Sequence, residues 1–274
     1  MAVTVNTNQG AMIALQNLSK TNNQIGVTQN RISTGLKVGG AKDNGAVFAI
    51  AQNMRADVAA FSAVSQSLSR GQSTADVAIA AAEGVSDLLI EMKEKALSAA
   101  DSSLDTASRN ALNEDFQALR DQITTMVDNA AFNGINLVDG STNNIQALAD
   151  ADNSSFITVS AESMALSGTV VTLTSTAQID TAASASTAVD TITASLENVN
   201  ESLARLGVGA KKLEVHQTFV GKLSDALTAG IGNLVDADLA RESARLQSLQ
   251  VKQQLGVQAL SIANSAPQSF LALF

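Results

Sequence analysis

The sequence contains no cysteine, no tryptophan and no tyrosine, one proline (Pro267) and one histidine (His216). Without cysteine there is no disulfide scaffold, no thiol nucleophile and no thiolate metal site. With one imidazole there is no His-cluster metal site and no His-Glu-x-x-His pair. No metal, cofactor or catalytic residue is therefore expected. Charge is also scarce: Asp, Glu, Lys and Arg make up 16% of the chain, against ~25% in an average soluble domain. The net charge of −9 leaves no basic face for nucleic acid. No stretch approaches the ~20 apolar residues that a membrane-spanning helix needs, so no membrane insertion is expected. The first ten residues hold neither a basic segment nor a continuous apolar core, so no cleaved secretory signal is expected. Taken plainly, that reads as cytoplasmic.

What is present is alanine, 46 of 274 residues, in a chain almost free of helix breakers. Apolar residues recur at alternating spacings of three and four, the mark of helices packed in a bundle. One such seam runs Ala11, Leu15, Leu18, Asn22, Ile25, Gln29, Ile32 and Leu36, closed by a glycine cluster at 35–45. A second, Val47 to Leu68, is expected to stop near Gly71, and a third runs from Ala81 to Ala99. A fourth, Leu112 to Ala130, halts at Phe132-Asn133-Gly134. From Val189 to Leu234 a single register persists, which predicts one long helix. The phase slips at Asp236-Ala237-Asp238, a joint, and resumes at Leu239, Leu246, Leu249 and Leu260.

Between these seams the pattern changes. Phe156–Ser160 and Thr169–Thr174 are β-branched and flank Gly168, which predicts a small hairpin, while residues 181–188 read as exposed loop or frayed helix. The fold class is mainly α: a long antiparallel coiled-coil-like bundle with a small β-hairpin region and paired N- and C-terminal helices.

Charge is unevenly distributed. All 26 acidic residues lie between Asp43 and Glu242, so both ends are nearly uncharged and slightly basic. Two helices packed only on each other leave half their apolar surface in water. The ends are therefore expected to be unstable alone and ordered only when many copies surround them. His216, beside the seam position Gln217, reads as an ordinary flanking histidine. The carboxylates Glu91, Glu94 and Asp101, and Glu114, Asp115 and Asp121, alternate with cations and read as solvated backs of amphipathic helices.

Three blocks carry a resemblance. Arg31-Ile-Ser-Thr-Gly-Leu-Lys37 with Ala41-Lys42-Asp43, then Phe132-Asn133-Gly134 with Leu137 and Gly140, then Asp236-Ala-Asp238 through Ala263-Asn264 and Pro267-Gln268 to Phe274, together resemble bacterial flagellin over roughly residues 1–140 and 190–274. The resemblance implies a self-assembling structural subunit of the extracellular flagellar filament, serving swimming motility. It implies a terminal coiled-coil domain of residues 1–40 with 236–274, lining an inner tube. Residues 41–235 would form a helical inner domain with the β-hairpin region at about 135–180. Assembly residues would be Leu15, Leu18, Ile25, Arg31, Ile32, Leu36, Leu239, Leu246, Leu249, Leu260, Phe270 and Leu273. The implied partners are many copies of the chain itself, then other flagellins, hook-associated proteins, the filament cap, an export chaperone and the flagellar export apparatus. Export of unfolded subunits by that apparatus would reconcile a missing signal peptide with a secreted destination. Where receptor-recognised flagellins have Arg and, four residues on, Leu, this chain has Glu91 and Lys95, which would weaken recognition by the vertebrate flagellin receptor. The alternatives are a hook–filament junction protein, or an exported adhesin or binding module, for which the short middle leaves little room.

Overall fold

The computed structural model describes residues 7–141 and 144–271, with side chains through residue 265. Five helices and four short strands follow in order: α1 (Gln9–Thr34), α2 (Gly45–Ala99), α3 (Thr106–Asn129), β1 (Ala131–Phe132), β2 (Ile135–Asn136), β3 (Ile145–Leu148), β4 (Phe156–Val159), α4 (Ala182–Val235) and α5 (Leu239–Leu271). The chain divides into two compact units, one of Asp57–Asp225 and one of Met1–Ala56 with Ala226–Phe274.

Within Asp57–Asp225, α2 does not stop at Gly71. Buried positions run Val64, Leu68, Gly71, Thr74/Ala75, Ala78, Ala82, Val85, Leu89, Met92, Ala96 and Ala99, in one unbroken three–four alternation. The expected break is thus corrected to a continuous helix. Gly71 costs some helix propensity, but it is a contact point: a Cβ there would lie 3.3 Å from Ile145 Cγ2 and 3.4 Å from Ala147 Cβ. The β3 strand rests where the side chain is missing. Small residues at 71, 75 and 78 hide the register from a reading of large apolar side chains.

The same device recurs on α4. Ile192, Val199, Leu206, Leu213 and Val220 form one buried row, as the periodicity predicts. Its buried companions are Ala185, Ala188, Ser195, Ser202 and Gly209, whereas Val189, Leu196, Leu203 and Ala210 only flank the core. Ser195 Oγ accepts the Thr172 N–H (3.1 Å) and is within 2.9 Å of the Thr191 carbonyl, to which it donates. Asn198 Nδ2 donates to the Val170 carbonyl (3.2 Å). Small polar residues let the segment after β4 approach the helix and supply its backbone with partners.

That segment also corrects the predicted hairpin. Thr169–Thr174 bends at Thr169, Val170 and Leu173 and is no strand, because its backbone groups are engaged elsewhere: Ser167 N donates to Leu173 O, and Gly168 N to Val171 O. β4 pairs instead with β3, in the register Ile145↔Val159 to Leu148↔Phe156. A second hairpin, β1–β2, turns on Asn133 (φ 50°) and Gly134 (φ 79°), the paired positive φ of a tight type I′ turn. Residues 181–188 are not loop. Thr181 and Ser184 exchange backbone-to-side-chain bonds as a helix cap, and Ala185 and Ala188 are buried. The α3 helix follows its predicted seam, with Phe116, Ile123 and Val127 buried and Asp105 capping its start.

Candidate assembly surface

In the unit of Met1–Ala56 and Ala226–Phe274, α1 and α5 pair antiparallel. Asn8 caps α1 by accepting from Ala11 N, and α1 ends at Gly35, whose φ of 72° suits glycine. At the joint, Asp238 Oδ1 caps α5 by accepting from Arg241 N (3.0 Å). The two chain segments are tied there by the backbone: Lys37 N and Val38 N both donate to Val235 O, and Ala237 N donates to Gly35 O. Val38, Ala51 and Val235 are buried together, with Leu36, Val47, Phe48, Ile231 and Leu234 around them. Asp43 Oδ2 accepts the N–H groups of Gly39 and Gly40, which secures the glycine loop.

From this root the helices run side by side. Arg31 Nη1 lies 3.1 Å from Glu242 Oε1. Gln253 Nε2 donates to Asn22 Oδ1 (2.8 Å), and Asn8 Nδ2 donates to Ala263 O (2.7 Å). Leu18 packs where Gly256 lacks a side chain, with Leu18 Cδ1 3.3 Å from the position a Cβ would take.

The predicted assembly residues divide into two sets. Ile25 and Leu249 are buried, and Leu18, Arg31, Ile32, Leu36, Leu246 and Leu260 are half-buried, within the unit itself. Leu15 (57% exposed) and Leu239 (49%) face solvent. The side chain of Phe270 and the whole of Leu273 lie outside the described residues. The face α1 turns inward carries Ala14, Thr21 and Thr28 rather than Leu15, Asn22 and Gln29.

A single seam per helix leaves out most of the outer rows, Leu15 excepted. Met12, Ile13, Leu15 and Val27 on α1, and Val251, Leu255, Val257 and Ile262 on α5, are each at least half exposed. The signal is legible in the sequence, because Val251, Leu255 and Ile262 repeat at helical spacing off the Leu246–Leu249 seam. Helices that are apolar on both faces are made for burial on both faces. Two isolated exposed leucines would need no explanation, but two rows on one helix pair mark an interaction surface.

In the unit Asp57–Asp225, Glu91 is exposed, and Lys95 Nζ lies 3.3 Å from Asp115 Oδ2. His216 Nε2–H donates to the Ala149 carbonyl (2.7 Å), and its ring meets Phe219 at 5.8 Å. It thus ties β3's end to α4. Glu162 receives a two-pronged contact from Arg205 (2.7 and 2.8 Å), which raises the guanidinium's pKa further above its ordinary value. Asp101 is held below the usual carboxylate range by the Ser103 N–H, and Asp150 by the Ser154 hydroxyl. These are turn and cap carboxylates with their partners beside them. Among the described residues no group of three His, Asp or Glu could hold a metal ion, and no helix is long and apolar enough to cross a membrane.

Comparison with known proteins accords with this arrangement. Residues 5–143 match the bacterial flagellin N-terminal helical region, and residues 189–274 match the bacterial flagellin C-terminal helical region. Flagellin FljM of Caulobacter vibrioides is 56% identical over 270 residues, 98% of each chain, and FljK of the same organism is likewise 56% identical. A flagellin of Brucella melitensis is 37% identical over 98% of each chain. Among solved structures, Bacillus cereus flagellin superposes with a TM-score of 0.50 at 20% identity, over 56% of this chain and 88% of that one. A putative flagellar hook-associated protein of Vibrio parahaemolyticus gives 0.56 at 13% identity, over 71% and 100%. Those two structures share the fold. The near-full-length relatives favour a filament subunit over a junction protein or an adhesin. With both terminal regions matched and relatives alike from end to end, the chain belongs to the bacterial flagellins, the structural subunits of which the flagellar filament is built.

Proposed function

We propose that the α1–α5 pair is the element by which copies of this chain bind one another, with the outer apolar rows of both helices as the contact. The observation that carries this reading is the double-sided apolar character of the pair. One face of each helix closes the pair, and the other holds Leu15, Leu239, Val251, Leu255 and Ile262 in water. Leu18, Ile25, Ile32, Leu246, Leu249 and Leu260 act in assembly indirectly, by holding the pair that presents those rows, and Leu36 anchors its root. Phe270 and Leu273 are assigned to assembly by the resemblance. Residues 1–40 with 236–274 belong to the inner tube, and residues 41–235 form a separate helical domain.

The role is structural, with no reaction assigned to it. Subunits leave the cell through the flagellar export apparatus, escorted by a chaperone, and add to a filament bounded by hook-associated proteins and a cap. Other flagellins co-assemble where they are made. The chain is thus secreted by that route.

Leu15→Asp and Leu255→Asp test the assignment, since a carboxylate on a surface that must become dry costs several kcal/mol. Sedimentation and electron microscopy after seeding should find either variant soluble, with its thermal unfolding unchanged. Normal filaments from both would remove the outer rows from the interface.

A further inference from the structure

We propose that Met12, on the outer face of α1, is a site of oxidation to methionine sulfoxide by hydrogen peroxide, and that this one added oxygen withdraws the chain from assembly. The inference rests on the reading that the outer rows are the contact between copies, and it assigns that surface a chemical control.

The methionines of the chain differ in what surrounds their sulfur. Met92 and Met164 are fully buried. Met126 is half-buried, and its sulfur and methyl group fill the space over Gly84, 2.5 and 3.0 Å from where a Cβ would stand. Met54 is half-buried too, with its methyl group 3.0 Å from the Cβ position of Gly230. Met12 is 63% exposed and has no such cover. An α1 that loosens in the free subunit opens Met12 further, so its accessibility does not require the helix pair to be fixed before assembly. Oxidation follows access to the sulfur. Met12 is therefore the favoured site among the described residues.

The reaction balances with peroxide alone. A sulfur lone pair attacks one peroxide oxygen, so that an S–O bond forms as the O–O bond breaks. The oxygen now on sulfur gives its proton to the departing hydroxide, which leaves as water. The thioether is oxidised by two electrons and the peroxide is reduced. The side chain stays uncharged but gains a strong dipole and a hydrogen-bond acceptor.

The setting makes that change matter. Ile13 and Leu15 beside Met12 are each 57% exposed, and no charged residue precedes Lys20. A thioether suits such a surface, because it is apolar, flexible and adapts to irregular contacts. A sulfoxide carried into the same dry contact loses its water and meets apolar groups in return, which is unfavourable. In the free subunit it stays hydrated, so the fold is not penalised. Once a subunit is incorporated, the contact that covers Met12 also shields it from oxidant.

The test uses full-chain monomer treated with dilute hydrogen peroxide at neutral pH and then freed of it. Peptide mass spectrometry measures sulfoxide at each methionine, and sedimentation after seeding gives the critical concentration for growth. Met12 should oxidise at least about tenfold faster than Met54, Met92, Met126 or Met164. The critical concentration should rise about tenfold or more, with thermal unfolding unchanged. Methionine sulfoxide reductase should restore growth. Met12→Leu, which keeps Met1, should grow alike before and after peroxide. In filaments Met12 should oxidise at least about tenfold more slowly than in monomer. Four results would overturn the proposal: Met12 oxidising no faster than Met164; an unchanged critical concentration at full conversion of Met12; the same loss of growth in Met12→Leu; or equal rates at Met12 in filament and monomer. If the oxidised chain grows normally while Leu15→Asp and Leu255→Asp stay soluble, this inference alone fails. Normal growth of all three removes the outer rows from the interface as well.

Discussion

Gly209 of α4 lies flat against Val159 of β4. A Cβ at 209 would sit 2.7 Å from Val159 Cγ1 and 3.1 Å from Cγ2. Valine is stiff about χ1 and fixed in its strand, so it has no easy retreat. Gly209→Ala should therefore lower the stability of this unit by about 1–3 kcal/mol through overpacking, despite alanine's better helix propensity. Adding Val159→Ala should restore part of the loss. Thermal unfolding of the two single variants and the double variant checks this, and additive losses would show that the contact is not the cause.

Burial in the terminal pair declines away from the joint. No residue of α1 before Ile25 is buried, and none of α5 from 250 to 265. Limited proteolysis of monomer should therefore trim both tips first, before about residue 25 and after about residue 249. The root, tied by Val235 and Gly35, should persist longer. In polymer the tips should resist, and the trimmed chain should stay folded but fail to polymerise. Tips that resist as well as α2 does would mean that subunits dock preformed.

The α3 cap predicts an acid response. The Ser108 N–H, and then its hydroxyl, hold the Asp105 carboxyl below its ordinary value. A carboxyl lowered by folding contributes stability above its unfolded pKa and loses it as pH falls through the lower folded value. Asp105→Asn, which still accepts from Ser108, should flatten the fall in melting temperature between neutral pH and about pH 3. Asp105→Ala should instead lower it at neutral pH, where the cap is lost outright.

We expect monomer of this chain to signal weakly through the vertebrate flagellin receptor, because Glu91 reverses a charge and Lys95 removes an apolar side chain. Glu91→Arg with Lys95→Leu should raise potency in a reporter-cell assay. Stability should barely change, since the Lys95–Asp115 ion pair that the substitution removes is largely exposed. Equal potency of the native chain and a strongly recognised flagellin would count against it.

Much of this architecture is legible in the sequence, and the failures share a cause. Periodicity of large apolar residues finds α3, α4 and the joint at 236–238, because Leu, Ile and Phe there face inward. It fails where backbones approach closely. Gly71, Ala75 and Ala78 in α2, and Ser195, Ser202 and Gly209 in α4, are core positions precluding any large side chain, so the register continues without one. Composition misplaces the β4 partner for a related reason. Val170 and Val171 have strand character, but hydroxyl and amide groups on α4 claim their backbone neighbours. The assembly positions predicted on α1 and α5 follow one seam per helix apart from Arg31, which leaves out the outer row at 251, 255 and 262.

The outer rows of α1 and α5 are apolar and almost uncharged, and that governs how a polymer joined through them answers to temperature. Removing such surface from water is entropy-driven near 25 °C and carries a negative heat-capacity change. The attraction between subunits therefore weakens on cooling. Salt acts elsewhere, by screening the acidic bodies that carry the chain's net charge of −9. Cold, dilute buffer removes both supports at once, whereas warmth and salt restore them, so the critical concentration for growth should fall as temperature rises until the subunit itself begins to melt.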